Sequence, residues 1–289
     1  MASNEAGISY SEPEYAKPQD RAKVPFYSVD IANRLVPETQ ELLEKYSKVP
    51  RDQQIAHIHL IRDKAWDIRA YPCIGLGVWL TPQLCRLPGY DGILERVKGG
   101  ATLMDVGTFI GHDLRRLVYD GAPSEKLYGV DIVNHFDLGY EFFRDRDRFN
   151  GHFIEADFLS TAPDLMYLKG AVDVVLVSQL LHQWSWDDQV KAVETLVTFT
   201  KPGSSIIGNQ IGNPVAQGIP FKQQQLVTTW RHNTESFTKM FEEVGKATGS
   251  SWKTQAWLRS FSEMGWDQKD AAWMEPDVCV IEFVANRVL

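Results

Sequence analysis

The sequence has little that would staple it, anchor it or carry it to a polyanion. Its three cysteines, Cys73, Cys85 and Cys279, are scattered, with no CxxC pair and no histidines at zinc-ligand spacing. That excludes a disulfide framework and a metal site of the usual pattern, so they read as buried thiols of a reducing compartment. Long apolar runs are missing too. The longest, around Tyr71 to Leu80, is too short to cross a bilayer, and no basic segment followed by an apolar core opens the chain. A cytosolic address without membrane contact is expected. Positive charge is in deficit, with 30 Lys and Arg against 38 Asp and Glu, a net charge of -8, and no basic stripe. Phosphate backbones are bound mainly through clustered Lys and Arg, so a nucleic-acid partner is not expected.

What is present is an ordinary globular composition, 44% hydrophobic and 24% charged over 289 residues, enough for one large α/β domain with additions. Residues 1–20, rich in Ser, Glu, Pro and Tyr and without apolar periodicity, read as a mobile arm. Residues 21–100 read as a helical cap. Pro37 opens a helical segment from Glu38 to Tyr46, and Pro50 opens another in which Ile55, Ile58, Ile61, Ala65 and Ile68 recur at helical spacing. Pro72 is expected to end that helix, and Gly99-Gly100 to close one carrying Ile93, Leu94 and Val97.

From residue 101 short apolar runs alternate with helical stretches, the pattern of βαβ units on a mostly parallel sheet. The expected strands are 101–105, 126–131, 152–156, 172–178 and 204–210, with two more at 254–260 and 278–284. Helices are expected at 111–120, 136–146, 163–168, 186–200 and 234–248. In such a sheet ligands sit beyond the carboxyl ends of the strands, where strand order reverses.

The first strand end reads Asp105-Val106-Gly107-Thr108-Phe109-Ile110-Gly111. Gly107 lets backbone approach a ligand and Gly111 lets the next helix pack close. A dinucleotide would require G-x-G-x-x-G, so that a pyrophosphate can sit on bare N–H groups. Phe109 stands where the further glycine would be. S-adenosylmethionine, which has no phosphate and a positive sulfonium, tolerates that replacement and favours nearby carboxylates. Asp131, 24 positions after Gly107 and followed by Ile132, is at the offset of an acid that accepts both ribose hydroxyls. Asp157-Phe158 ends the third strand with an acid for the adenine amino group and a ring for its face. Ser178 ends the fourth strand as a further cofactor contact. His182 and Trp184 follow it on the substrate side, where His182 is the candidate base. Arg231 and His232 are candidate substrate contacts, and no acid or histidine cluster implies a metal.

The series Asp105 to Gly111, Asp131, Asp157, Ser178 and Lys201-Pro202-Gly203 resembles class I S-adenosylmethionine-dependent methyltransferases. The helical N-terminal region, Leu180-Leu181-His182 and Arg231-His232-Asn233 with the following Glu-Ser-Phe resemble fungal methyltransferases of meroterpenoid biosynthesis. The resemblance implies a Rossmann-like α/β fold with seven mostly parallel strands, helices on both faces and an N-terminal helical cap. It also implies methyl transfer to a carboxylate of a small apolar molecule. A carboxylate, ionised above ~4, needs no base, whereas a phenol near ~10 would make His182 valuable. The alternatives are that phenol chemistry, a cyclase that binds the cofactor without transferring methyl, and a nicotinamide-dependent dehydrogenase, which the missing glycine motif disfavours. Cap residues Phe26, Tyr27, Trp66, Tyr71 and Trp79 suit an apolar pocket. A homodimer is left open.

Overall fold

The computed structural model describes residues 12, 16–17, 20–220 and 228–289. The expected mobile arm, residues 1–20, lies outside the described residues except at Glu12, Ala16, Lys17 and Asp20. The described strands, in chain order, are β1 (Leu103–Val106), β2 (Leu127–Asp131), β3 (His152–Glu155), β4 (Val172–Ser178), β5 (Thr200–Gly212), β6 (Gln217–Pro220), β7 (Thr228–Arg231), β8 (Trp252–Arg259) and β9 (Cys279–Arg287). The α-helices are α1 (Pro37–Glu41), α2 (Arg51–Ile68), α3 (Pro72–Gly75), α4 (Tyr90–Lys98), α5 (His112–Tyr119), α6 (Phe136–Phe143), α7 (Pro163–Met166), α8 (Trp186–Phe199) and α9 (Thr234–Thr248).

Seven strands form one sheet in the order β3-β2-β1-β4-β5-β9-β8. Pairing is parallel from β3 to β5, while β9 runs antiparallel to both β5 and β8. The side-chain period of two explains the two-layer cover from Val174 onward, and a register irregularity between Val172 and Val174 puts Val172 on the opposite phase. In β4, Val172, Val175 and Val177 join a core with Ala192, Val193, Leu196, Phe237, Met240 and Phe241 of α8 and α9. Val174 and Leu176 point the other way, into Ile93, Leu94, Val97, Leu114, Leu117 and Phe136 of α4, α5 and α6. A strand covered on both faces has to read as continuous Val and Leu, and β4 does from Val174 to Val177. Strand order reverses between β1 and β4, so the carboxyl ends of these two strands open a crevice.

The cap departs from its expected periodicity. Helix α2 buries Gln54, Ile58, Ile61, Arg62, Ala65 and Trp66, whereas Ile55 is 40% exposed. The stripe tolerates two polar residues because each is satisfied. The Gln54 amide donates to the Gln40 and Val49 carbonyls at 3.2 Å, and Arg62 donates to the Ser28 carbonyl and pairs with Asp63. Pro72 opens α3 rather than ending α2, which stops at Ile68. A short antiparallel hairpin, β6 with β7, was not expected from the sequence.

Two contacts fix the turn after β1. Arg115 and Asp145 form an ion pair with both side chains fully buried, and the same guanidinium donates to the Ile110 carbonyl at 3.1 Å while lying over the Phe136 and Phe149 rings. Helix α6 approaches that carbonyl so closely that a Cβ on Gly139 would sit 2.2 Å from it.

Candidate active site

The turn after β1 is left-handed at Gly107 (φ 77°) and at Gly111 (φ 67°), which suits glycine at both. Phe109 is left-handed as well, at φ 52°. A residue with a Cβ pays for that conformation, so the surroundings must hold it. They do. The Phe109 N–H donates to Asp131 Oδ2 at 2.9 Å, and its ring packs against Trp79 of the cap and His135 at centroid distances of 5.7 and 5.1 Å. The loop keeps the path a glycine would give it while Phe109 ties cap to sheet.

The three strand-end acids differ in what they accept. Asp105 takes the Thr108 hydroxyl at 2.7 Å; burial, with Asp113 repelling it, raises its carboxyl well above the ordinary range. Asp131 accepts the N–H groups of Phe109 and of Val133, the latter at 3.1 Å. Burial pushes it up to about 6, against the pull of those N–H groups. Asp157 accepts the Leu159 N–H at 2.9 Å, a local turn bond that leaves its second oxygen outside that contact. Ile132 is 44% exposed beside Asp131, and the Phe158 ring meets Trp184 at 6.1 Å.

All eight expected cofactor contacts, Asp105, Gly107, Thr108, Asp131, Ile132, Asp157, Phe158 and Ser178, line one cavity of about 290 Å³, and His182 and Trp184 line it too. Arg231 and His232 do not. The Arg231 guanidinium is consumed by Glu275 and by the His182 carbonyl, to which it donates at 2.9 Å. His232 is fully buried, bonded to the Ser236 hydroxyl and surrounded by Trp186, Trp230 and Phe237. Their segment is the start of α9, where Asn233 and Ser236 form a reciprocal capping box. Hairpin strand β7 therefore braces the His182 turn from behind. That turn is also strained, since Gln179 is left-handed at φ 54° and is held by Asn209 through both its backbone N–H and its side-chain amide.

The remaining wall has two sources. The cap gives Tyr71 and Trp79 of the aromatics expected, with Leu76, Val78 and Gln83, whereas Phe26, Tyr27 and Trp66 pack in the cap's own core. The connection between β8 and β9 gives Phe261, Trp266, Asp270, Trp273 and Met274, none of which sequence reasoning singled out. The signal was there, as three rings, Phe261, Trp266 and Trp273, and two methionines, Met264 and Met274, crowd residues 261–274 just after Trp257. The two sources touch through the Phe26 and Trp273 rings, 5.7 Å apart, and through Arg34 and Asp270.

The fit of S-adenosylmethionine can be judged from this wall. Among the described residues no Lys or Arg lines the cavity, whereas Asp105, Asp113, Asp131, Asp157 and Asp270 do. A cationic ligand suits that balance. Ser178 Oγ and His112 Nδ1 are buried without a partner, and Gly107 presents bare backbone. His182, with Nδ1 also unpartnered, is pushed down to about 3 by burial and by Arg231. It is a neutral ring at physiological pH and a weak proton acceptor.

Comparison with known proteins agrees with this geometry. Residues 26–80 match a family model described as the meroterpenoid methyltransferase N-terminal domain. The O-methyltransferase atr3 of Stereocaulon alpinum is 38% identical over 252 residues, 86% of this chain and 72% of that protein. The asnovolin E/chermesin D methyltransferase nvfJ of Aspergillus novofumigatus is 34% identical over 235 residues, 79% of this chain and 83% of that one. In fold the chain is similar to the 1,6-didemethyltoxoflavin-N1-methyltransferase of Burkholderia thailandensis, with a TM-score of 0.50, 12% identity and coverage of 83% and 92% of the two chains.

Proposed function

Because the chain belongs to the fungal meroterpenoid O-methyltransferases, we propose that it transfers methyl from S-adenosylmethionine to a carboxylate oxygen of an apolar meroterpenoid acid, giving a methyl ester. When bound, the cofactor supplies an electrophilic methyl on a positively charged sulfur. Asp131 would accept the ribose hydroxyls, and Asp157 with Phe158 would take the adenine. Asp105, Gly107, Thr108 and Ser178 would border the amino-acid end. What the chain must then do is hold the acceptor oxygen in line with the methyl and keep water out.

The observation that carries the carboxylate is how poorly His182 and His135 serve as bases. His182 near 3 and His135, pushed down by burial to about 4, are poor acceptors for a phenol proton. A carboxylate arrives ionised and asks for no proton transfer. The indole N–H groups of Trp79 and Trp273, buried without partners, offer neutral donors for orienting an acceptor oxygen. The second reading keeps His182 as base for a phenol, and its unpartnered Nδ1 on the cavity wall is the observation in its favour.

Alkali separates the two. Label transferred from methyl-labelled cofactor onto a phenolic meroterpenoid acid should be released by mild base, as an ester is. A base-stable methyl ether would refute the carboxylate assignment.

A further inference from the structure

Asp270 is a buried carboxylate with half of its hydrogen bonding assigned. It lies in the 3₁₀ turn Gln268–Ala271 between β8 and β9, is 6% exposed and borders the cavity. Oδ1 accepts from Arg34 of the cap at 2.6 Å, 236 residues away in sequence. The Arg34 side chain is itself 11% exposed, so this is a bond made inside the protein. Oδ2 is buried and has no partner. A buried carboxylate oxygen with no protein partner is costly to leave so, and a donor reaching it from the cavity would offset that cost. Burial raises the Asp270 carboxyl, with Arg34 opposing the rise, which is the energetic mark of the same unsatisfied group.

We infer that Asp270 is a specificity-determining residue whose Oδ2 accepts a hydrogen bond from a hydroxyl of the methyl acceptor. This rests on the reading of the cavity as the acceptor site and adds a substrate class to it: acids that carry a free hydroxyl remote from the carboxylate to be methylated. The logic is that of charge and count. A second carboxylate of the substrate would be repelled by Asp270, and a carbonyl or ether offers no proton, so a neutral O–H donor is the partner that fits. Arg34 fixes the direction of the acceptor by holding Oδ1, which makes it a positioning residue for Asp270. A site built to bond a hydroxyl rejects the analogue lacking it much more strongly than an apolar pocket rejects an extra methyl.

The test uses the full chain and podocarpic acid, a tricyclic terpenoid with one carboxyl and one phenolic hydroxyl, beside its phenolic methyl ether. S-adenosylhomocysteine binding is measured first by calorimetry on wild type and on Asp270→Asn, which checks the cofactor site and the fold of the variant together. Wild type should esterify the carboxyl of podocarpic acid with kcat/KM at least tenfold above that of its phenolic methyl ether, chiefly through KM. In Asp270→Asn that ratio should fall below about threefold. Equal use of the two acids by wild type, or an undiminished ratio in the variant, overturns the inference. Wild type that binds S-adenosylhomocysteine but esterifies neither acid overturns the proposed substrate class and leaves the cofactor site standing. Failure to bind S-adenosylhomocysteine overturns the underlying reading of the cavity instead.

Discussion

Replacing Asp131 with Asn should both weaken cofactor binding and remove its dependence on pH. In the free protein this carboxyl is pushed up to about 6 by burial, although the Phe109 and Val133 N–H groups favour its ionised form. Ribose hydroxyls bond best to the ionised carboxylate. Affinity is therefore full well above pH 6 and is lost as pH falls through it. At pH 5 about one carboxyl in ten is ionised, so wild type should bind S-adenosylhomocysteine roughly tenfold less tightly than at pH 8, about 1.4 kcal/mol. The histidines His135 and His182, held near 4 and 3, do not titrate across that interval. An Asn at the same place keeps the size but loses the charge on two hydrogen bonds, a cost of roughly 3 kcal/mol or about a hundredfold at pH 8. Titration calorimetry with S-adenosylhomocysteine at pH 5, 6.5 and 8 on both proteins reads both effects, with circular dichroism confirming that each stays folded. Flat wild-type affinity over that range, or an unchanged slope in Asp131→Asn, would refute the assignment of Asp131 to the ribose.

Other substitutions probe the frame around the site. Phe109→Gly relieves the left-handed strain that Phe109→Ala retains, while both lose the ring; denaturant unfolding should rank Gly above Ala by about 1 kcal/mol, and the reverse order would contradict a strained loop. Arg115→Met leaves the buried Asp145 with the Tyr46 hydroxyl but no cation and should cost about 3–5 kcal/mol, part of which the double variant with Asp145→Leu should restore. Gly139→Ala presses α6 off the Ile110 carbonyl, so it should cost about 1–3 kcal/mol and weaken S-adenosylhomocysteine binding by displacing the turn after β1; a neutral melting temperature would show that α6 yields more easily than its packing suggests.

The sheet and its ligand crevice were legible because parallel strands buried on both faces write continuous apolar runs, and because their ends carry acids at regular offsets. Strand 172–178 and helix 234–248 occupy the expected positions residue for residue. Strand β5 is longer than expected, since pairing with β4 begins at Thr200 and the strand takes in Lys201-Pro202-Gly203 ahead of the expected 204–210. The hairpin was invisible: Gln217–Pro220 is short, polar and contains a glycine and a proline. The substrate wall was illegible for a different reason. Trp266, Asp270 and Trp273 sit in a connection without periodicity, and only three-dimensional closure onto Arg34 and Phe26 shows what they face. Arg231 and His232 were drawn to the substrate by their charge and sequence position, but tertiary packing spends one on Glu275 and buries the other beneath a helix cap.

The place of β9 in the sheet bears on how this protein is made. It follows β8 in the chain yet inserts between β5 and β8, pairing eight residues with each. Until Cys279 to Arg287 has left the ribosome, residues 204–212 of β5, all buried in the finished fold, offer an unpaired strand edge to any neighbouring chain. Heterologous production should accordingly yield more soluble protein when synthesis is slowed by cooling or when chaperones are supplied, since either gives the late strand time to arrive before another edge does.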